Sequence, residues 1–183
     1  IGKLLIQGAV NPLGVDMIAA FNAVNRIDDY AFTPEQSISH GITTFVAQNR
    51  GAGRKERIRK GFRRGLMLEA CYWVFICITI TLFRRPLMGL FVTAGNEGSY
   101  LGLMALFYVF PAFTNGIQGF FRGMGNMSVT LLGTFVQTSL RVVFVYLLTP
   151  GIGLLGVAYA CAIGWSVMLL VEVPYYFWFM KDK

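Results

Sequence analysis

Charge is scarce in this chain. Asp, Glu, Lys and Arg make up 14% of its 183 residues, against about 25% in an ordinary soluble domain, while 55% are hydrophobic. Too few polar side chains remain to cover a water-facing surface, so a bilayer is the expected solvent. Histidine occurs once and cysteine three times. Cys71, Cys77 and Cys161 have no metal-ligand spacing and lie in apolar runs, where a free thiol behaves as a small hydrophobe. No nucleophile elbow or metal-ligand cluster is present, and the turn at Gly51 and Gly53 lacks the lysine and hydroxyl of a phosphate loop. Neither an enzyme nor a cofactor is expected. A basic leader is missing as well: residues 1–10 are apolar and too short to span alone, and the chain reads as beginning inside a helix.

What charge there is lies unevenly. Eight of the sixteen basic residues, Arg50, Arg54, Lys55, Arg57, Arg59, Lys60, Arg63 and Arg64, fall in one stretch followed by strongly apolar chain. That asymmetry reads as a cytoplasmic loop, 50–64, and sets the direction of every helix. The net charge of +7 is then explained by topology and by anionic lipid headgroups, and no nucleic-acid partner is expected. Apolar runs predict spans at 66–83, 100–121, 127–149 and 152–180. Counting inward and outward from the basic loop leaves the C-terminus in the cytoplasm, in keeping with Lys181, Lys183 and an aromatic anchor of Tyr175, Tyr176 and Trp178. Arg84 and Arg85 fall on the other side and suggest a short interfacial helix over 85–91.

Residues 17–48 are too polar for a hydropathy window, yet Ile18, Phe21, Val24, Ile27, Tyr30, Ile38, Ile42 and Phe45 recur mostly at spacings of three or four among the polar groups. This predicts a crossing helix with one face toward lipid or neighbours and the other toward a cavity, kinked at Pro34. With the partial helix 1–13 the count reaches six. The fold class is all-α and integral to the membrane, a six-helix bundle.

Gln48, Asn49, Arg50, Gly51, Ala52 and Gly53, followed by a basic run, look like the loop after the eighth helix of the multidrug and toxic compound extrusion (MATE) transporters, where bacterial members often read QNxGAG. The polar helix with Asn25, Arg26, Ile27, Asp28 and Pro34, and the later Phe121, Arg122, Gly123, Met124, Gly125 and Asn126, follow in that family's order. The chain resembles helices seven to twelve, one lobe of a twelve-helix, two-lobe transporter. The resemblance implies a secondary antiporter of the bacterial inner membrane. It would export cationic amphipathic compounds in exchange for Na⁺ or H⁺, with the N-terminal lobe, small cationic substrates and membrane lipids as partners. The alternatives are a lipid-linked sugar flippase of the same superfamily and a non-transporting scaffold. The glycines of the two motif loops are expected to act as structural turns.

The candidate ion or substrate residues are Asp28, Asp29 and Glu35, because a carboxylate at membrane depth persists mainly where it meets a cation, a proton or a partner. For the aspartates an ion pair or hydrogen-bond network with nearby Arg26 is the competing reading. Glu35 stands seven residues beyond Asp28, two helical turns, so both carboxylates face one side. Asn115 and Gln118 are the polar pair of span 100–121, and Tyr108 is a cavity aromatic suited to a lipophilic cation, with packing as its competing reading. Some family members carry an acid on the seventh and tenth helices. Span 100–121 has none, which leaves the coupling ion open between Na⁺ and H⁺. Arg141 is expected to pair with Glu172 or another acid, or to snorkel, and Arg26 and Arg141 are the expected deep cations.

Overall fold

The computed structural model describes residues 2–89 and 97–181, without the side chains of 84, 85, 87–89 and 97–99. Its helices are α1 (Gly2–Val10), α2 (Val15–Gly51), α3 (Lys55–Gly89), α4 (Glu97–Phe107), α5 (Val109–Gly123), α6 (Met127–Ile152) and α7 (Leu154–Lys181), with a single 3₁₀ turn (Asn11–Leu13) after α1. α4 and α5 form one crossing broken at Tyr108. The cause is Pro111, which has no N–H to offer the Phe107 carbonyl four residues back, while Tyr108 and Ala112 still make their own backbone bonds across the break.

α2 is continuous through Pro34. The carbonyl that proline leaves without an amide belongs to Tyr30, on the exposed side of the helix. At 1.5 Å per residue its 37 residues reach about 55 Å, more than the hydrocarbon of a bilayer. Four stretches within the described helices are long and apolar enough to cross a membrane: 55–83, 100–123, α6 and α7. α2 is not among them because its charged and polar residues together keep the mean hydropathy of its windows low.

Two expectations need correction. The basic stretch is not a loop: α2 ends at Gly51 and α3 begins at Lys55, so Lys55 to Arg64 form the first turns of a helix. Lysine and arginine are good helix formers and Glu56 in the first turn suits the helix dipole. Nor does α3 stop at Phe83; it runs through Pro86 to Gly89, so residues 85–89 belong to it and are not a separate interfacial helix. Leu90 and Phe91 lie outside the described residues.

The turn geometry falls on one glycine of each pair. Gly53 and Gly125 have φ of +67° and +74°. In each turn the amide after the glycine bonds five residues back, Arg54 to Asn49 and Asn126 to Phe121, and the glycine itself bonds three back, which is a Schellman termination. Gly51 and Gly123 are helical. The same Arg-Gly-x-Gly sequence thus closes both α2 and α5, and Arg50 joins the two ends by donating to the Met124 carbonyl.

α2 and α5 run parallel and tightly packed, with a Cβ on Gly119 falling 2.6 Å from the Ser39 carbonyl oxygen. α3 returns antiparallel to α2, its Tyr72 hydroxyl donating to the Ala31 carbonyl at 3.0 Å. α6 and α7 form a close pair, where a Cβ on Gly156 would meet the Leu148 and Thr149 backbone at 2.8 Å. Small residues permit this approach, as in other membrane bundles. Two apolar clusters result. One gathers Val10, Phe21, Val24, Leu101, Tyr108 and Trp165; the other gathers Val46, Phe62, Phe120 and Phe121 at the end that carries the basic residues. Leu68, Phe75, Leu82, Leu131, Phe135 and Leu147 are exposed, an outer surface that lipid covers and water would not.

Candidate functional site

A polar layer separates the two apolar clusters. Along α2 the first cluster ends at Ala31 and Phe32 and the second begins at Ile38, and Glu35 lies between them, 1% exposed. On α3 Glu69 occupies the equivalent gap at 0% exposure, and on α5 Thr114 and Asn115 do, with Gln118 just beyond, among the second cluster.

The parallel register of α2 and α5 builds two rungs seven residues apart on each helix. The Tyr108 hydroxyl donates to Asp28, and Asn115 Nδ2 donates to Glu35 Oε2 at 3.4 Å. Below them Ser39 donates to the Asn115 carbonyl and accepts from Arg122 Nη2 at 2.7 Å. Asp28 and Glu35 therefore do share a face, and Tyr108 and Asn115 are the residues opposite. Asp28 lines a small cavity of about 60 Å³ together with Asn25, Tyr100, Arg141 and Trp165. Glu35 is enclosed by packed protein rather than open to a cleft.

Asp29, one residue and about 100° further round the helix, lies with Lys3 at the exposed rim of the same cavity. It pairs with Lys3 of α1 at 3.1 Å, both side chains largely exposed, a geometry that contributes little. Gln118 leaves the group: its amide reaches Glu172 Oε1 and Thr134 Oγ1, each at 3.3 Å. Arg26 is exposed, so the network expected between it and the aspartates gives way to Lys3 and Tyr108. Arg141 lines the Asp28 cavity, whereas Glu172 is held by Gln118. The half-buried Arg122 replaces Arg26 as a deep cation beside Arg141.

Residues 1–147 match the MatE family. The chain belongs to that family. A probable multidrug resistance protein NorM of Thermotoga maritima is 30% identical over 162 residues, 85% of this chain and 35% of that protein. The probable multidrug resistance protein YoeA of Bacillus subtilis is 25% identical over 191 residues, all of this chain and 41% of that protein. A crystal structure of a MATE protein in complex with MaL6 superposes with a TM-score of 0.89 at 22% identity, covering all of this chain and 42% of the other. The chain thus spans about two fifths of the length of the MATE proteins it matches, and has the all-α fold of a MATE transporter lobe. MATE proteins are multidrug efflux transporters, not a class of enzyme.

Within this MATE lobe two acids escape sequence reasoning based on α2. Glu69 sits against Gly116 of α5, where a Cβ would lie 3.6 Å from Glu69 Cγ, and neither of its oxygens has a hydrogen-bond partner among the described residues. Glu172 is 0% exposed, with Oε2 likewise unpartnered. The signal was present in both cases: a lone carboxylate inside an apolar span is costly enough to need a reason.

Proposed function

We propose that the chain is one lobe of a cation-coupled antiporter of the bacterial inner membrane that exports cationic amphipathic compounds in exchange for Na⁺ or H⁺. Asp28 and Glu35 serve as its ion- or substrate-responsive carboxylates, with Tyr108 and Asn115 positioning them and Gln118 orienting Glu172. Asp29, at the exposed rim of the Asp28 cavity, is the outermost acid of this set. The observation that carries the reading is the pair of rungs between α2 and α5: two carboxylates at membrane depth, each held by a neutral donor rather than by a cation. A carboxylate so held remains free to exchange its charge for a proton, a metal ion or a substrate ammonium, which a salt-bridged one is not. Among the described residues, buried and half-buried acids (Asp28, Glu35, Glu69, Glu172) outnumber the corresponding cations Arg122 and Arg141, which favours a positively charged cargo.

The basic start of α3 and the C-terminal end of α7 lie on the cytoplasmic side in this proposal. Transport by alternating access needs a second lobe. Expressed alone in a susceptible bacterium, the chain should leave ethidium resistance at the empty-vector level, and joined to an N-terminal lobe of the same family it should raise it. Resistance from the chain alone would refute the one-lobe reading.

A further inference from the structure

The basic stretch does more than mark one side of the membrane. Because it is helical, Arg57, Lys60 and Arg64 recur at spacings of three and four and share one flank of α3. Between that flank and α2 lies a trough of about 480 Å³. The three cations edge its α3 side, from beside the α2–α3 turn to the level of Ile42, while Ile38, Ile42 and Phe45 form its α2 side and Leu68 continues the α3 side beyond Arg64. Gly61 and Gly65 have no side chains to fill it, so Phe45 and Ile42 lie directly over them, and Gly41 has nothing within 4 Å of where a Cβ would project.

A groove with cations along one edge and hydrocarbon along the other and beyond them matches an amphiphile with an anionic head. A free phosphate would leave the apolar length unused, and a neutral lipid would leave the cations unused. The cations are available: Lys60 has only a 3.7 Å contact with Glu56, both side chains well exposed, and such pairs exchange readily with a better partner. We propose that this trough binds an anionic phospholipid, its phosphate between Arg57, Lys60 and Arg64 and an acyl chain along Ile42, Phe45 and Leu68. The site rests on reading this end of the lobe as lying at a membrane surface. Basic pockets between transmembrane helices at that depth suit phosphate headgroups, and guanidinium groups hold them bidentately.

The test is lipid retention by the purified chain in a neutral detergent, read by native mass spectrometry during titration with phosphatidylglycerol or phosphatidylcholine. The wild type should keep one phosphatidylglycerol at a concentration at least tenfold below that needed for phosphatidylcholine. The triple change Arg57→Gln, Lys60→Gln, Arg64→Gln should weaken phosphatidylglycerol by roughly a hundredfold. A control triple at Arg54, Arg59 and Arg63, which removes equal charge outside the trough, should retain the preference. Gly41→Phe places a ring where there is open space and should displace the lipid with the charge unchanged. Helical circular dichroism checks that each variant is folded. Equal loss in the two triples would reduce the effect to diffuse charge and overturn the site, as would equal retention of both lipids, competition by millimolar inorganic phosphate, or an unaffected Gly41→Phe. No transport enters this readout, so its outcome is independent of the antiporter reading.

Discussion

Asp28 and Tyr108 show how much a single residue's neighbours decide. From sequence, Asp28 follows Arg26 by two positions and Asp29 follows it by three, and the three read as one polar group. On a helix those positions diverge: Arg26 faces out, Asp29 meets Lys3, and only Asp28 turns toward α5. The partner could not be read from the sequence, because residue 108 meets residue 28 through a register between non-adjacent helices. The same holds for Gln118 and Glu172, 54 residues apart, whereas the failure of Arg141 to reach Glu172 follows from the α6–α7 hairpin, which sets Arg141 beside Gly164 and Glu172 beside Gly133. Asp28 and Glu35 themselves were legible, since a spacing of seven fixes their common face. If the Tyr108 hydroxyl holds Asp28, the two side chains should be energetically coupled. A double-mutant cycle of Tyr108→Phe and Asp28→Asn, measured by thermal unfolding in detergent, should give about 1–2 kcal/mol of interaction; a value indistinguishable from zero would mean the contact contributes nothing.

At the scale of elements, spans α6 and α7 were legible because nothing but hydropathy defines them, and α2 was legible through its 3.6-residue period despite its charges. The helical start of α3 was not. A run of lysine and arginine reports which side of a bilayer a segment prefers and says nothing about its backbone. Glycine roles were also invisible individually: of the motif glycines, Gly53 and Gly125 make turns by positive φ, whereas Gly123 lets α5 approach Val46 and Thr43 of α2. That contact between α2 and α5 carries the candidate site, and its tolerance is uneven. Gly119→Ala would set a Cβ 2.6 Å from the Ser39 backbone oxygen, which cannot move aside, and should destabilise the lobe by about 1–3 kcal/mol. Gly41→Ala on α2 meets open space and should be neutral or stabilising by up to about 1 kcal/mol through helix propensity. Equal effects of the two substitutions on the midpoint of thermal unfolding would contradict the close packing of α2 on α5.

For the whole molecule, one design follows from the distribution of polarity. Apolar clusters fill both ends of the bundle, lipid-facing hydrophobes cover α3 and α6, Glu35 and Glu69 lie in a layer between the clusters, and Asp28 and Glu172 are set into the first and second cluster respectively. On the proposed function, a coupling ion would meet these acids one after another rather than at a single level. The chain spans about two fifths of the length of its relatives, and on the proposed one-lobe reading a second lobe supplies the facing wall of the pathway. The claim that the α2 carboxylates couple transport is tested most directly by drug efflux in vesicles. The transporter containing this chain would be placed under separately imposed sodium and proton gradients, as wild type and with Asp28→Asn or Glu35→Gln. One gradient should drive efflux in the wild type, and at least one substitution should abolish it with the protein still present and folded; full gradient-driven efflux by both variants would show that Asp28 and Glu35 hold the helices together and do not carry the coupling.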